Sequence, residues 1–256
     1  MTFPVFPGKQ ELEAIVTPAA MLAHRRAGGR LGAIAAPRAA VICLERGLPQ
    51  RVRSVRLRKV GRLMGDLFVV RASDGRVVVL TDFGLGAPIV AAQAEELIAL
   101  GATRIVSIAL AGGIAADMAT GDVVVADAAI RDEGTSHHYL APGERVSADA
   151  ALADAVAGAL RRRGVAHRRG TTWSTDAPYR ETREEAIHYA AQGALVVDME
   201  MAALFAVAQH RGVAAAGVLV AGDSLAGGVW TPPARLDGMT RALDAAYAAI
   251  VEVLDA

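Results

Sequence analysis

The sequence predicts an α/β fold in which one sheet is covered by helices on both faces, a three-layer α/β/α arrangement. Three observations predict it. Strand-like and helix-like segments alternate from about residue 40 onward. The strand-like segments are near-continuous Val, Ile, Leu and Ala, the composition of strands buried on both faces. The chain has 256 residues, 53% of them hydrophobic, enough to bury one substantial core.

In chain order, Pro4 and Pro7 mark an extended arm, and Pro18 opens a helix through Leu22 that the Gly28-Gly29 pair breaks. Ala40–Leu44 (AVICL) is a short buried-type strand. The basic stretch from Arg51 to Arg62 partly alternates charge and apolar residues, which places several arginines on one solvated strand face. Asp66–Arg71 and Arg76–Thr81 form a hairpin turning at Ser73-Asp74-Gly75. Pro88 begins a helix that ends at Gly101, with Pro inside the start and Gly past the end. Strands follow at 104–110 and 122–128, with AGGIAADMATG as their connection, and then a helix at 150–163. GTTWSTDAPYRETRE reads as irregular, and 194–198 (ALVVD) as a strand. A helix runs from about Met199 to Arg211, and a strand from 216 to 223. Leu236, Met239, Leu243, Tyr247, Ile250 and Leu254 recur at spacings of three and four, the apolar stripe of a terminal helix facing core or a subunit interface. No repeat, low-complexity tract or linker divides the chain. The expected organisation is therefore an arm and helix over residues 1–39, packing on the domain or on a neighbouring subunit, and one domain over 40–256.

Composition narrows the function. Lys and Arg total 27 against 27 Asp and Glu, a zero net charge that argues against nucleic acid or a membrane surface as partner. The single Cys43 forms no internal disulfide or cysteine zinc cage, so a reducing, cytoplasmic setting is expected. No charged n-region with an apolar h-region opens the chain, and no apolar run is long enough to span a membrane. Gly84-Leu85-Gly86 lacks the third glycine of a dinucleotide fingerprint, and GKS/GKT, HExxH and GxSxG motifs are missing, so no metal site is expected. A glycine turn that lets backbone approach a small ligand stays open for Gly84–Gly86, beside a plain tight turn.

Ligands of covered sheets bind at the strands' carboxyl ends. Three strand-end segments stand out: Gly84-Leu85-Gly86, Asp198-Met199-Glu200 and Gly222-Asp223. The order FGLGAP…AEEL, AGGIAADMATGDVVVADAAIRDEGTS, VVDMEMAALFAVA and LVAGDS resembles the nucleoside phosphorylase family, which includes purine nucleoside and uridine phosphorylases and related nucleosidases. The resemblance runs from about residue 40 to the C-terminus. It implies a mixed, partly closed central sheet and cleavage of a nucleoside's N-glycosidic bond by phosphorolysis, giving base and pentose 1-phosphate. It implies no cofactor, with phosphate as co-substrate and a small-molecule nucleoside as ligand. It further implies a homo-oligomer, a dimer or a hexamer of dimers, in which the Phe3–Pro7 arm and Arg62 complete a neighbouring site.

Breaking a ribosyl N-glycosidic bond builds positive charge on the sugar and negative charge on the departing base. Glu200 resembles the family glutamate that grips the ribose hydroxyls, with Met199 against the sugar face; the ordinary alternative is an acid favoured by a helix N-terminus. Asp198 stands where a glutamate is common and reads as structural. Asp223 resembles the purine-side acid, since a carboxyl partly removed from water can hold and donate a proton near neutrality. Its ordinary alternative is a turn or helix cap. Trp173 or Tyr179 is placed to contact the base, and Arg183 resembles a pyrimidine-side arginine, so the base stays undecided. The usual phosphate positions hold Ser107 and Leu110, which bring no charge. Gly47 and Arg51 resemble the glycine–arginine phosphate loop, and Arg62 the neighbouring subunit's arginine. Three activities follow: phosphorolysis through Arg51 and Arg62, hydrolysis with water in the vacated position and Glu45 as base, or nucleoside binding without cleavage.

Overall fold

The computed structural model describes residues 5–233 and 236–256, so Phe3 and Pro4 of the expected arm lie outside the described residues. Among the described residues there are ten strands: β1 (Ala39–Cys43), β2 (Leu57–Arg62), β3 (Asp66–Val70), β4 (Val77–Thr81), β5 (Arg104–Gly113), β6 (Val123–Asp132), β7 (Arg145–Ser147), β8 (His167–Thr175), β9 (Ala194–Asp198) and β10 (Ala214–Ser224). The helices are α1 (Pro18–Ala27), α2 (Leu48–Arg51), α3 (Ala87–Leu100), α4 (Ala150–Arg162), α5 (Arg183–Ala191), α6 (Met201–Arg211) and α7 (Leu236–Asp255).

The sheet is mixed and partly closed. β5 pairs antiparallel with β9, β9 parallel with β8, β8 parallel with β6, and β6 antiparallel with β10, which returns to run parallel to β5. These five strands make a ring. From β5 an open wing continues through β1, β4, β3 and β2, and residues 30–32 bridge the outer side of β2, with the Arg62 amide donating to Arg30 O at 2.8 Å and Gly32 to Val60 O at 3.1 Å. Alternate strand residues feed two cores. Ala40, Ile42, Ile105 and Ala109 pack with α3 and α6, whereas Val41, Cys43, Val106 and Ile108 pack with α4 and α7. This is the three-layer arrangement.

Local chemistry sets most helix starts. Thr17 caps α1 by accepting from the Ala20 amide at 3.2 Å, with Pro18 in the first turn, and Asp149 caps α4 by accepting from Leu152 at 2.8 Å. α1 is tied to the body by Arg25, whose guanidinium grips the Glu96 carboxylate of α3 at 2.8 Å. No helix among the described residues is long and apolar enough to cross a membrane.

Three expectations are corrected. β5 runs through Gly113, so the glycines of AGG lie inside a strand and not in a connection. The stretch expected to be irregular is β8, a single 3-10 turn at Pro178–Arg180, and the start of α5, where Thr182 and Glu185 form a capping box. The helix expected from Met199 begins at Met201, which leaves Met199 and Glu200 at its threshold.

Candidate active site

The ring's register brings the expected segments together. Gly112 of β5 lies opposite Val197 of β9 on one side and Asp223 of β10 on the other. β8 then places Ser174 beside Asp198, and β6 places Asp132 beside Thr175. Glycine at 112 keeps this junction open: a Cβ there would stand 2.5 Å from Leu225 Cδ1, 3.0 Å from Val197 Cγ1 and 3.3 Å from Asp223 Oδ1, so that these side chains would have to shift.

Asp198 is structural, as expected. Its Oδ1 accepts from Ser174 Oγ at 2.6 Å and from Thr172 Oγ1 at 3.0 Å, while Oδ2 accepts from the Glu200 and Met201 amides at 2.9 and 2.7 Å. Four donors surround one buried carboxylate that caps α6. Burial nevertheless pushes its proton affinity above the ordinary carboxylate range, and those donors only partly offset it.

Glu200 is 3% exposed. Its Oε1 accepts from the Gly86 amide at 2.7 Å and its Oε2 from Met199 at 3.2 Å. Burial pushes its pKa up from 4.5 to about 7, with the Asp198 charge adding to the rise and the two amides opposing it. The Gly84–Gly86 turn thus approaches a carboxylate of its own chain, and Gly86, at φ 104°, takes a backbone conformation open to glycine.

Asp223 is half-buried at the end of β10, and its Oδ2 accepts from Trp230 Nε1 at 2.7 Å. Glu181 is half-buried nearby; burial first, then the Asp223 and Glu185 charges, push its pKa up to about 7. Sequence reading missed Trp230 and Glu181. It also missed Asp132, which accepts from Trp173 Nε1 at 2.9 Å, and Asp176, which accepts from the Gly134 amide at 2.8 Å and bears electrostatically on Glu200.

The remaining expected residues are dispersed. Met199 is half-buried between Asp198 and Glu200. Trp173 is corrected to a core residue: at 1% exposure its ring packs on Tyr189 with centroids 4.8 Å apart, which leaves no face for a base. Tyr179 is fully exposed on its 3-10 turn, and Arg183 lies at the start of α5 with its stem against Gly228. Gly47, at φ 73°, precedes α2; Arg51 binds Asp244 of α7 at 2.6 Å, and Arg62 binds Asp66 at 3.1 Å. No contact among the described residues joins these two arginines to the Glu200–Asp223 centre. Ser107 is wholly buried mid-strand with an unpartnered hydroxyl, Leu110 is half-buried, and Glu45 is half-buried, with burial raising its pKa against the opposing Arg51 charge.

A separate groove of about 840 Å³ lies between residues 6–21, α3 and the C-terminus of α6. Of its charged lining residues, Glu95 pairs with Arg211 and Glu96 with Arg25 of α1, and it holds none of the site carboxylates.

Residues 42–255 match the Phosphorylase superfamily. Over 161 residues the chain is 30% identical to a guanosine phosphorylase of Halorubrum lacusprofundi, covering 62% of this chain and 67% of that protein. Over 181 residues it is 32% identical to a DeoD-type purine nucleoside phosphorylase of Myxococcus xanthus, covering 68% of this chain and 76% of that protein. Among solved structures it is similar to a Vibrio fischeri uridine phosphorylase complexed with 6-hydroxy-1-naphthoic acid, at TM-score 0.69, 25% identity and 85% and 90% coverage of the two chains. A Toxoplasma gondii purine nucleoside phosphorylase in complex with immucillin-H shares the fold at TM-score 0.72 and 20% identity, over 86% of this chain and 90% of that one.

Proposed function

Because the chain belongs to the Phosphorylase superfamily, we propose that it cleaves the N-glycosidic bond of a nucleoside by phosphorolysis, releasing free base and pentose 1-phosphate. The observation that carries this reading is the placement of Glu200, a buried carboxylate held by two backbone amides at the mouth of the strand ring that also presents Asp223.

In this reading Glu200 accepts hydrogen bonds from the ribose hydroxyls and stabilises the positive charge that grows on the sugar, with Met199 packed on the ring. A phosphate oxygen bonds to the anomeric carbon as the carbon–nitrogen bond breaks, and the bond's electron pair leaves with the base. Asp223 donates a proton to that base. Gly47 and Arg51 hold phosphate, for which Arg51 exchanges the Asp244 carboxylate for the anion; Arg62 acts in a neighbouring subunit's site. Exposed Phe6, Leu12, Ile15 and Val16 on the N-terminal segment support association of copies.

The test is a panel of purine and pyrimidine nucleosides, incubated with and without phosphate, with free base and pentose 1-phosphate measured. Release that requires phosphate is expected. Release of base without phosphate, or binding without release, overturns phosphorolysis.

A further inference from the structure

Asp223 sits at the root of a small closed loop. Ser224 and Thr231 exchange backbone hydrogen bonds at 3.0 and 2.7 Å, which pins the neck of residues 224–231. The Leu225 amide donates to Gly113 O at 2.7 Å and fastens the loop to β5. Gly228, at φ 72°, lies so close against the Arg183 stem of α5 that a side chain there would collide with it. The loop is thus held at its neck, its floor and its far side. From its outgoing limb Trp230, 64% exposed, turns its indole back to reach Asp223 Oδ2.

An indole nitrogen donates and never accepts. Trp230 therefore fixes Oδ2 and leaves Oδ1, the oxygen directed at Gly112, without a donor and free to carry a transferable proton. We propose that Trp230 is the positioning residue of Asp223, orienting its carboxylate toward the leaving base and setting how readily it gives up its proton. This inference rests on the phosphorolysis reading and deepens it.

The charged groups around Asp223 are few. Glu181, on the segment after β8, faces it, and the Asp223 and Glu185 charges add to the burial that raises the Glu181 pKa. Arg183 of α5 touches the loop at Gly228, and β5 contributes uncharged Gly112. The Trp230 N–H is the one hydrogen bond to the Asp223 carboxylate among the described residues. Removing a donor to a carboxylate strengthens its hold on a proton.

The experiment has two arms. In protein carrying 5-fluorotryptophan the two tryptophans, Trp173 and Trp230, give two fluorine resonances, assigned with Trp230→Phe. The Trp230 resonance is expected to titrate with pH in the wild type and in Glu181→Gln, and to stay flat in Asp223→Asn. A titration that persists unchanged in Asp223→Asn overturns the proposal. In the kinetic arm, Trp230→Phe is expected to lower kcat about tenfold, the worth of one hydrogen bond to a charged group, with little change in KM. It should move the alkaline limb of the kcat profile to higher pH, and Trp230→His, which keeps a ring N–H, should restore much of both. A KM effect with an unmoved limb marks a loop staple and overturns the proposal. If the wild type releases no base, the phosphorolysis reading fails, and the fluorine arm alone decides whether Trp230 holds Asp223.

Discussion

Asp198 Oδ2 accepts the backbone amide of Glu200 at 2.9 Å, so one carboxylate builds the ledge from which the other is presented. The two acids are two residues apart and their roles are opposite. Asp198 is saturated with four internal donors, whereas the Glu200 carboxylate accepts from two backbone amides among the described residues.

Glu200→Gln is expected to lower kcat by roughly 10²–10³, the scale of removing one preorganised electrostatic contact. Its effect on stability has the opposite sign. The folded protein holds the Glu200 proton up to about 7, whereas an unfolded glutamate releases it near 4.5. Between those values the folded state binds more protons, so stability falls as pH rises through that window. Glu200→Gln removes this slope, and urea unfolding should show a gain of about 1–3 kcal/mol at about pH 8 and none at about pH 4. Equal midpoint shifts at both pH values would contradict the raised proton affinity.

Asp198→Ala leaves Ser174 and the Glu200 and Met201 amides without their shared acceptor. A loss of about 2–4 kcal/mol is expected, a lost cap together with stranded buried donors. Thermal unfolding measures it, and a change within about 0.5 kcal/mol would show that water or a shifted side chain replaces the carboxylate.

Asp223→Asn removes the proposed proton donor but keeps the shape. Its penalty is expected to be large for nucleosides whose base leaves poorly and small where the base departs without protonation. Base release from a good and a poor leaving group, compared side by side, measures the contrast. Equal penalties would reduce Asp223 to a loop anchor.

Gly112→Ala forces a methyl against Leu225, Val197 and Asp223 Oδ1. Overpacking of this kind costs about 1–3 kcal/mol, and because Asp223 is the proposed base-side acid, KM for the nucleoside should rise. Steady-state kinetics checks this; an unchanged KM would place the base elsewhere.

The buried strands and the Pro-to-Gly helix α3 were legible because apolar runs and capping residues leave a direct trace in sequence. β8 was not, because Thr172 and Ser174 are polar residues whose partner, Asp198, is more than 20 positions away in sequence. Their burial makes sense only once the ring has closed. The start of α5 did have a signal, Thr182-x-x-Glu185, which an irregular reading passed over. At the site, Glu200 and Asp223 stood in recognisable strings, whereas Glu181 and Trp230 join Asp223 only through the folding back of two loops. Trp173 misled for the converse reason. An aromatic beside a site string looks like a ligand contact until its neighbours on β6 and α5 enclose it.

The closed ring has a consequence for how copies of this chain can meet. Strands recruit other strands through unpaired backbone at a sheet's margin. Here one end of the sheet terminates in itself, and the other is sheathed by residues 30–32 along β2, where Arg58 and Lys59 are exposed. The sheath depends on Gly61, where a Cβ would stand 2.7 Å from Arg30 O and 2.9 Å from Leu31 Cα. Strand addition is therefore blocked at the ring and along Val60–Arg62, which leaves the Leu57–Lys59 part of β2 and the side of β7 away from β6 as margins among the described residues. A side chain at position 61 would lift the sheath and extend the uncovered border along the whole of β2.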